Sequence, residues 1–384
     1  MSCEEIETLF LANNLELIAE RYDISIADAE IIQAKHWENP SLSLGDMNFW
    51  RSEKQFSIEL SQLIQTANKR RKLVKRETVA KEIAVQEFEE ILRGLKTELR
   101  RSVYELCYIQ SFVNLLFDQS QSLTHLIESY KKQVQQGNMA KSELLRLQSS
   151  LLELESELND ARLDLTEQEK ILKVLLNITP STRIEIVPNL TEEVAPNSIL
   201  LPNLLQIADE SRTDMKQYRL RTQYYERALD YEKSLRAPDI TIGASYDHYG
   251  GVWKNFVGIG VSVDLPVFNR NQGGIKAAKL GIEQSRYREQ QQQNIVRHEV
   301  AAAYDNYAYA YDFYKKIHDE SLQTELDEAL KVYAKNLLNK NISMFEYIDF
   351  MESYRASKQT ILAAKRNVDV RFEELQYTVG TEIK

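Results

Sequence analysis

The side chains that most often carry out chemistry are sparse in this sequence and lie far apart. The five histidines are His36, His125, His248, His298 and His318. No two of them are three or four residues apart, the spacing at which a helix presents two metal ligands on one face. Cys3 and Cys107 have no metal-ligand spacing and predict neither a zinc site nor a disulfide framework. We therefore expect no protein-bound metal ion.

Motifs of the common catalytic and nucleotide-binding sites are also missing from the sequence. It contains no Ser-His-Asp order, no glycine-rich phosphate loop and no HExxH pair. The glycine pairs at 250–251 and 273–274 are interpreted as turns. A run of tyrosines between residues 304 and 314 favours packing between helices, although their hydroxyl groups could also face a wet tunnel. We expect a protein that is not an enzyme and that holds no cofactor.

The composition indicates long helices. The chain has 384 residues, and its 12 glycines and 7 prolines are too few to supply the turns of an ordinary globular protein. Its net charge of -10 gives no support to nucleic-acid binding, and its 43% of hydrophobic residues excludes general disorder. No uncharged apolar run approaches the roughly 18 residues of a membrane-spanning helix, which excludes a helical-bundle membrane protein. Met1 to Glu5 show no signal-peptide pattern, so we expect any export signal to lie outside this chain.

An internal repeat runs through the chain. Three landmarks coincide at one shift of 203 residues: 58–64 with 261–267, 130–138 with 333–341, and 172–177 with 375–380. A fourth landmark, 40–45 with 238–243, coincides at a shift of 198 residues, which indicates a five-residue insertion or deletion. Three matches at one offset and in one order favour a true repeat over chance.

The repeat predicts the domain organisation. We interpret residues 1–178 as repeat one, 179–201 as a linker and 202–384 as repeat two. The boundary between Thr179 and Pro202 holds four of the seven prolines in the chain. Each repeat is predicted to contain a helix, a pair of strands and a long helical hairpin.

The helices of the hairpins are predicted to be very long. In repeat one the first helix spans 4 to about 37 and ends before Pro40, because the residue before a proline disfavours helix. In repeat one the hairpin helices are predicted at about 68–135 and from the turn at 137–138 to about 177. In repeat two they are predicted at about 274–338 and 343–377. The helix over 68–135 would measure roughly 100 Å. Helices of this length imply extended coiled-coil packing.

Strand pairs are predicted at about 41–64 and 239–266. In the second pair, Val257, Ile259, Val261, Val263 and Leu265 alternate with small or polar residues. This period-2 pattern fits a transmembrane barrel strand of about 9 to 11 residues and fits a strand of a small soluble sheet equally well. Even small natural barrels use about eight strands, so four strands of this chain could close a barrel only with strands of other subunits.

These features together resemble the TolC-like outer-membrane factor family of efflux channels. The opening segments Glu4-Glu5-Ile6-Glu7 and Leu11 to Leu17 resemble the first helix of that family. The most specific match is Asp264-Leu-Pro-Val-Phe-Asn-Arg-Asn-Gln-Gly273, which resembles the family's strand-to-helix turn, especially in the metal-cation exporter branch. The turn residues are Pro266, Asn269, Arg270 and Asn271.

The resemblance implies a fold, an assembly and a function. The fold is mainly α with a small β part, in two tandem repeats. A homotrimer would build a 12-strand β-barrel in outer-membrane lipid, continued by a periplasmic α-helical barrel. The implied function is a passive bacterial export duct of a tripartite efflux or secretion system, whose partners are a periplasmic adaptor protein and an inner-membrane pump. The exported substrate cannot be read from the sequence.

The hairpin turns are the candidate sites for partner contact and gating. Gly137, Asn138 and Met139 mark the first turn, and Lys340, Asn341 and Ile342 mark the second. Gly137, Asn138 and Asn341 suit left-handed helix ends, and Ser142 and Ser343 are N-cap candidates. By resemblance these turns are the periplasmic tips that meet the adaptor. Four charged residues within about two helical turns are gate candidates, although a solvated face explains any one of them equally well. They are Glu143, Arg146, Glu346 and Asp349.

Two other protein classes compete with the channel. A periplasmic adaptor also has a long coiled-coil hairpin, but we would expect one hairpin with β-rich flanks, where this chain has two hairpins. A soluble coiled-coil scaffold would not require alternating strands at matched places in both repeats. The export duct is therefore the favoured interpretation.

Overall fold

The computed structural model describes residues 3–50, 54–186, 193–249 and 251–383. Gly250 and residues 187–192 of the predicted linker lie outside these ranges. The described part forms nine α-helices and four strands. The helices are α1 (Cys3–Asn13), α2 (Leu15–Lys35), α3 (Lys69–Gln135), α4 (Lys141–Leu176), α5 (Leu201–Ser211), α6 (Thr213–Ser234), α7 (Gln272–Ile317), α8 (Glu320–Leu338) and α9 (Met344–Val379). The strands are β1 (Ser41–Asn48), β2 (Gln55–Ile64), β3 (Ile240–His248) and β4 (Phe256–Val263).

The prediction of a single first helix is wrong, because the chain breaks at Asn14. The Asn14 side-chain oxygen accepts a hydrogen bond from the Leu17 amide at 2.9 Å and so caps α2. The Asn14 side-chain amide donates to the carbonyl of Leu175 near the end of α4, also at 2.9 Å. This buried asparagine therefore both starts α2 and holds it against the hairpin.

The prediction of one helix over 274–338 is also wrong. α7 ends at Ile317 and α8 begins at Glu320. The backbone amide of Ser321 donates to the Asp319 carboxylate at 2.9 Å, and the Ser321 hydroxyl donates to the same oxygen at 2.7 Å. Asp319 therefore caps a new helix where a continuous one was expected. By contrast, α3 is continuous over 67 residues, as predicted.

The chain divides into two compact units, each built from separate stretches of sequence. The first unit contains residues 1–18, 91–212 and 296–384, and the second contains residues 19–90 and 213–295. In the first unit, α3, α4, α8 and α9 share a core of leucines with Tyr130, Tyr347 and Met351. The Arg355 guanidinium lies 3.2 Å from the Glu157 carboxylate and links α9 to α4.

Both ends of the chain are attached to Arg100 of the first unit. Its guanidinium lies 2.6 Å from the Glu7 carboxylate, 3.3 Å from that of Glu373 and 2.7 Å from that of Glu382. Burial raises the pKa of Glu373, although the nearby Arg100 opposes this shift. One cation thus joins α1, α9 and the C-terminal segment to α3.

The second unit contains one antiparallel sheet in the order β1-β2-β3-β4. The register pairs Leu42 with Leu60, Leu60 with Ala244 and Ala244 with Ile259. Side chains that are directly opposite one another lie on the same face, so the alternation in each strand sorts the sheet into two faces. A turn of the chain joins each strand pair to a long helix.

None of the described helices contains a stretch that is long and apolar enough to cross a membrane.

Candidate functional site

The first candidate site is the apolar face of the sheet. Its four rows are Leu42 and Leu44; Phe56, Ile58, Leu60, Gln62 and Ile64; Ile240, Ile242, Ala244, Tyr246 and His248; and Val257, Ile259, Val261 and Val263. None of these described residues is an aspartate, glutamate, lysine or arginine. Much of this face is exposed, with Ile259 84% and Val261 66% exposed. An apolar face this accessible needs a cover that this chain alone does not provide.

The opposite face of the sheet is mostly polar or small, with Leu63 and Phe256 as its large apolar residues. Ser57, Glu59 and Ser61 of β2 lie across from Asp247, Ser245 and Gly243 of β3, and Gly258, Gly260 and Ser262 continue the rows on β4. Glycine, serine and carboxylate side chains suit contact with water. The sheet therefore has one face for an apolar environment and one for an aqueous environment.

The strand-to-helix turns share a left-handed asparagine in both halves of the chain, although Ala67 is also left-handed and its equivalent Arg270 is not. Asn68 and Asn271, which coincide when the two repeats are superposed by sequence, have φ values of 56° and 55°. The Asn271 side-chain amide donates to the Glu232 carboxylate at 2.6 Å and to its backbone carbonyl at 2.9 Å. Of the predicted turn residues, Asn271 therefore fixes the turn, while Pro266, Asn269 and Arg270 lie in the segment between β4 and α7. The Asn269 side chain accepts a hydrogen bond from the Asn271 amide at 3.0 Å.

The second candidate site is the pair of hairpin turns. The backbone amide of Gly137, whose φ is 76°, donates to the carbonyl of Val134, and the backbone amide of Asn138 donates to the carbonyl of Gln133. The backbone amide of Lys340, whose φ is 60°, donates to the carbonyl of Leu337, and the backbone amide of Asn341 donates to the carbonyl of Asn336. Both turns are Schellman motifs, in which the residue after the helix is left-handed. The prediction of left-handed Asn138 and Asn341 is wrong by one residue, because the left-handed position is the residue before each of them.

The helix starts after these turns differ in their caps. Ser343 caps α9, because its hydroxyl oxygen accepts a hydrogen bond from the Glu346 backbone amide at 3.2 Å, which confirms the predicted cap. The Ser343 backbone amide and hydroxyl in turn donate to the Glu346 carboxylate at 2.7 and 2.8 Å. These hydrogen bonds lower the pKa of Glu346. The predicted cap at Ser142 is wrong, because α4 begins at Lys141 and has Ala140 at its N-cap without a side-chain hydrogen bond. Met139 and Ile342 occupy the two turns and are partly buried against the core.

The four gate candidates have different surroundings. Glu143 accepts a hydrogen bond from the hydroxyl of buried Tyr130, whose pKa is raised by burial and by this carboxylate. The Arg146 guanidinium lies 5.6 Å from the centre of the Phe345 ring on the other hairpin. Asp349 is exposed. Among the described residues, these four candidates form no ion pair with one another.

A further charged cluster was not anticipated from the sequence. The Glu193 carboxylate lies 3.0 Å from the Lys315 amine and 2.9 Å from the Lys365 amine. Burial opposes ionisation of this carboxyl, but the two lysines outweigh burial and lower the pKa of Glu193 to about 2. The hydroxyl of Tyr307 donates to the carbonyl of Val194, the next residue. The end of the linker is therefore fixed to α7 and α9.

Comparisons with known proteins agree with the predicted resemblance. No known family model matches the sequence. The cobalt-zinc-cadmium resistance protein CzcC of Cupriavidus metallidurans is 21% identical over 278 residues, which span 72% of this chain and 66% of that protein. The outer-membrane channel CmeC of Campylobacter jejuni is 14% identical and has a TM-score of 0.79, with 98% of this chain and 85% of CmeC covered. The outer-membrane protein VceC of Vibrio cholerae is 14% identical and has a TM-score of 0.76, with 98% of this chain and 96% of VceC covered.

The chain has the fold of an outer-membrane channel. The predicted mainly helical architecture with a small antiparallel sheet is confirmed. The proteins that share this outer-membrane channel fold, and the resistance protein, are not enzymes, in agreement with the expectation for this chain. At these identities the structural likeness concerns the fold, so assembly, gating and cargo are argued separately below.

Proposed function

We propose that the chain is one subunit of a homotrimeric bacterial outer-membrane duct that exports small solutes passively. A periplasmic adaptor and an inner-membrane pump would energise the export. The observation that carries this proposal is the two-faced sheet with its exposed, uncharged apolar face. Divalent transition-metal cations are the first cargo to test, because the relative with the sequence match is named for resistance to cobalt, zinc and cadmium.

The free edges of the sheet support the closed barrel. In the described sheet, β1 and β4 each have one edge without a hydrogen-bonded neighbour. Unpaired strand edges are not tolerated in a bilayer, so they must meet other strands. All three pairings in the sheet are antiparallel. In the proposed barrel, β4 of one subunit would therefore run antiparallel to β1 of the next. Three copies of four strands would close a barrel of 12 strands.

The length of β2, the longest strand, fits a bilayer, whereas β1, β3 and β4 are one or two residues shorter. β2 has 10 residues, which corresponds to about 34 Å at about 3.4 Å per residue. A strand tilted by about 40° would then cover about 26 Å along the membrane normal, which matches the apolar band of about 25 Å on outer-membrane barrels.

An apolar stripe on α4 supports association of the helical parts. Leu145, Leu152, Leu163 and Val174 are 54%, 72%, 62% and 72% exposed. Their spacings of 7, 11 and 11 residues place all four within a sector of about 40° on one side of the helix. The same sector also contains Ser156 and Lys170. A mainly apolar row of this kind over 30 residues is typical of a helix that packs against a partner. A neighbouring subunit of the trimer would cover it.

Matched backbone features support the tandem repeat over residues 1–178 and 202–384. The left-handed residues Gly137 and Lys340 occupy equivalent positions at the two hairpin turns. The helix breaks at Asn14 and Arg212 are equivalent as well. They coincide at the shift of 198 residues that holds before the strands. The Arg212 side chain donates to the carbonyl of Thr378 at 3.0 Å, as the Asn14 side chain donates to the carbonyl of Leu175. Thr378 and Leu175 are equivalent at the shift of 203 residues that holds after the strands.

The hairpin turns are proposed as the gate and as the adaptor contact. Glu143 and Glu346 each accept hydrogen bonds within the chain. Arg146, which packs on Phe345, and Asp349 are proposed as the charges for contacts around the threefold axis. One exposed ion pair contributes about 0.2–1 kcal/mol, and three copies would give about 0.6–3 kcal/mol if they add. This is enough to favour a closed tip and weak enough for an adaptor to overcome.

The assembly can be tested by mass and by labelling. Light scattering of the detergent-solubilised protein should give three times the 44.6 kDa of one chain. In a variant without Cys3 and Cys107, Ser262→Cys should react with an aqueous maleimide and the adjacent Val261→Cys with a lipid-soluble one. A monomer that is soluble without detergent, or aqueous labelling of both positions, would refute the barrel.

A further inference from the structure

A cavity of about 320 Å³ lies among α3, α6 and α7 within the second unit. Its lining contains three tyrosines, Tyr218, Tyr224 and Tyr225, and two arginines, Arg221 and Arg288. Ser285, which is 4% exposed, forms part of its wall. The volume lies at the lower end of the range of small-molecule sites, so the cavity suits a ligand of one or two fused rings.

The tyrosine walls are held in defined positions. The rings of Tyr224 and Tyr225 meet edge to face with their centres 5.7 Å apart. Tyr225 lies directly against Gly281 of α7, where a Cβ atom would be 2.5 Å from Cδ1 of the ring. Any other residue at position 281 would displace the ring. The Arg76 guanidinium, 6.0 Å from the centre of the Tyr224 ring, packs on that tyrosine.

The charge of the cavity is opposite to that of the chain. The sequence has 58 acidic against 48 basic residues, yet no carboxylate is among the described residues that line the cavity. Arg221 lies 3.1 Å from the Glu87 carboxylate through one of its nitrogens and retains other donors. Within the described ranges, Arg288 forms no ion pair. Two guanidinium groups, Arg221 and Arg288, therefore line this aromatic cavity, and Glu87 is the carboxylate that balances one of them.

We propose that this cavity binds a small flat organic anion, of the class of aromatic carboxylates. The tyrosine rings would stack on the aromatic body, and the planar guanidinium groups would donate paired hydrogen bonds to the carboxylate. The proposal concerns one chain only and does not depend on trimer formation or export.

The test uses 2-naphthoate as the probe and the neutral 2-naphthamide, which has nearly the same shape, as its comparison. Binding to the folded full chain in detergent is measured by titration calorimetry or by probe fluorescence. Naphthoate should bind about tenfold more tightly than naphthamide, because a charge-assisted hydrogen bond is lost in the amide. Arg288→Gln should weaken naphthoate binding about tenfold and leave naphthamide binding unchanged.

Arg286 provides the matched control. It lies two residues from Arg288 on α7, but it is 3.9 Å from Glu226 and 3.7 Å from Glu283 and does not line the cavity. Arg286→Gln should leave naphthoate binding unchanged, whereas Gly281→Ala should weaken both probes by moving Tyr225. Equal affinity for the two probes, no measurable binding, or the same loss in the Arg286 and Arg288 variants would overturn the proposal.

Discussion

The Glu193 contact with Lys315 and Lys365 makes attachment of the linker depend on pH. The pKa of this carboxyl is lowered from 4.5 to about 2 in the folded chain. A carboxyl whose pKa is lower when folded stabilises the folded state above its unfolded pKa. That stabilisation is lost as the pH falls from about 4.5 towards about 2. A shift of this size corresponds to about 3 kcal/mol of attachment free energy at neutral pH.

The perturbation is Glu193→Gln, which keeps the shape of the side chain and removes the charge. The Glu193 side chain is 15% exposed and that of Lys365 is 31% exposed, but that of Lys315 is 47% exposed, so solvent screens the Lys315 pair and about 3 kcal/mol is an upper value. Lys365 keeps a second partner in Asp369 at 2.9 Å, so the variant does not leave this lysine unpaired. Local opening of residues 193–199 should then be up to about 100-fold more frequent at pH 7, because about 3 kcal/mol corresponds to about two powers of ten.

Hydrogen exchange measured by mass spectrometry reports this opening directly. In the wild-type chain, protection of residues 193–199 should decrease between pH 5 and pH 3, after correction for the intrinsic exchange rate. In Glu193→Gln the protection should be low throughout and nearly independent of pH in that window. The reasoning would be refuted if the variant kept wild-type protection at pH 7, or if it showed the same dependence on pH. A second variant, Lys315→Met, should lose part of the hydrogen-exchange protection of residues 193–199, because Glu193 then keeps only Lys365 as its partner.

Three further predictions concern the sheet and the hairpin turns. Val261→Arg should lower the stability of the folded protein in lipid by about 2–4 kcal/mol per chain near the midplane, whereas Ser262→Arg should be tolerated; equal denaturant midpoints for the two variants would contradict the two-faced sheet. Lys340→Gly should stabilise the second turn by about 1 kcal/mol and Gly137→Ala should destabilise the first by a similar amount, because both positions are left-handed. Hydrogen exchange at the two turns measures these stability changes, and changes of the same sign in both variants would contradict the prediction. Arg146→Ala should raise single-channel conductance in planar bilayers without dissociating the trimer, and unchanged conductance would remove this arginine from the gate.

Local patterns in the sequence predicted the elements that depend on local physics. The alternation in β4 sorts its side chains onto two faces whatever the rest of the chain does, and the register of the sheet follows it. The cap at Ser343 is also local, since its partner Glu346 is three residues away. The turns were located to within one residue, because few glycines or asparagines interrupt the long helices.

Several of the features that were missed depend on contacts between distant residues, although the break between α7 and α8 is capped locally by Asp319. The break at Asn14 involves the carbonyl of Leu175, which is 161 residues away in sequence. The partners of Glu193 are likewise distant, with Lys315 lying 122 residues further along the chain. No periodicity in one segment carries such information. The placement of Arg146 against Phe345 depends in the same way on how the two hairpins pack.

The attachment of both chain ends to Arg100 has a consequence for how this chain can be rearranged. Glu7 of α1 and Glu382, which follows α9, are bound to the same guanidinium, so these two segments lie within one side chain's reach of each other. A short peptide could therefore connect the segment after α9 to α1, and the chain could be opened elsewhere without stretching the fold. If the two halves are copies, the order in which they are translated is then arbitrary. A circular permutant that begins with the second half should fold to the same structure.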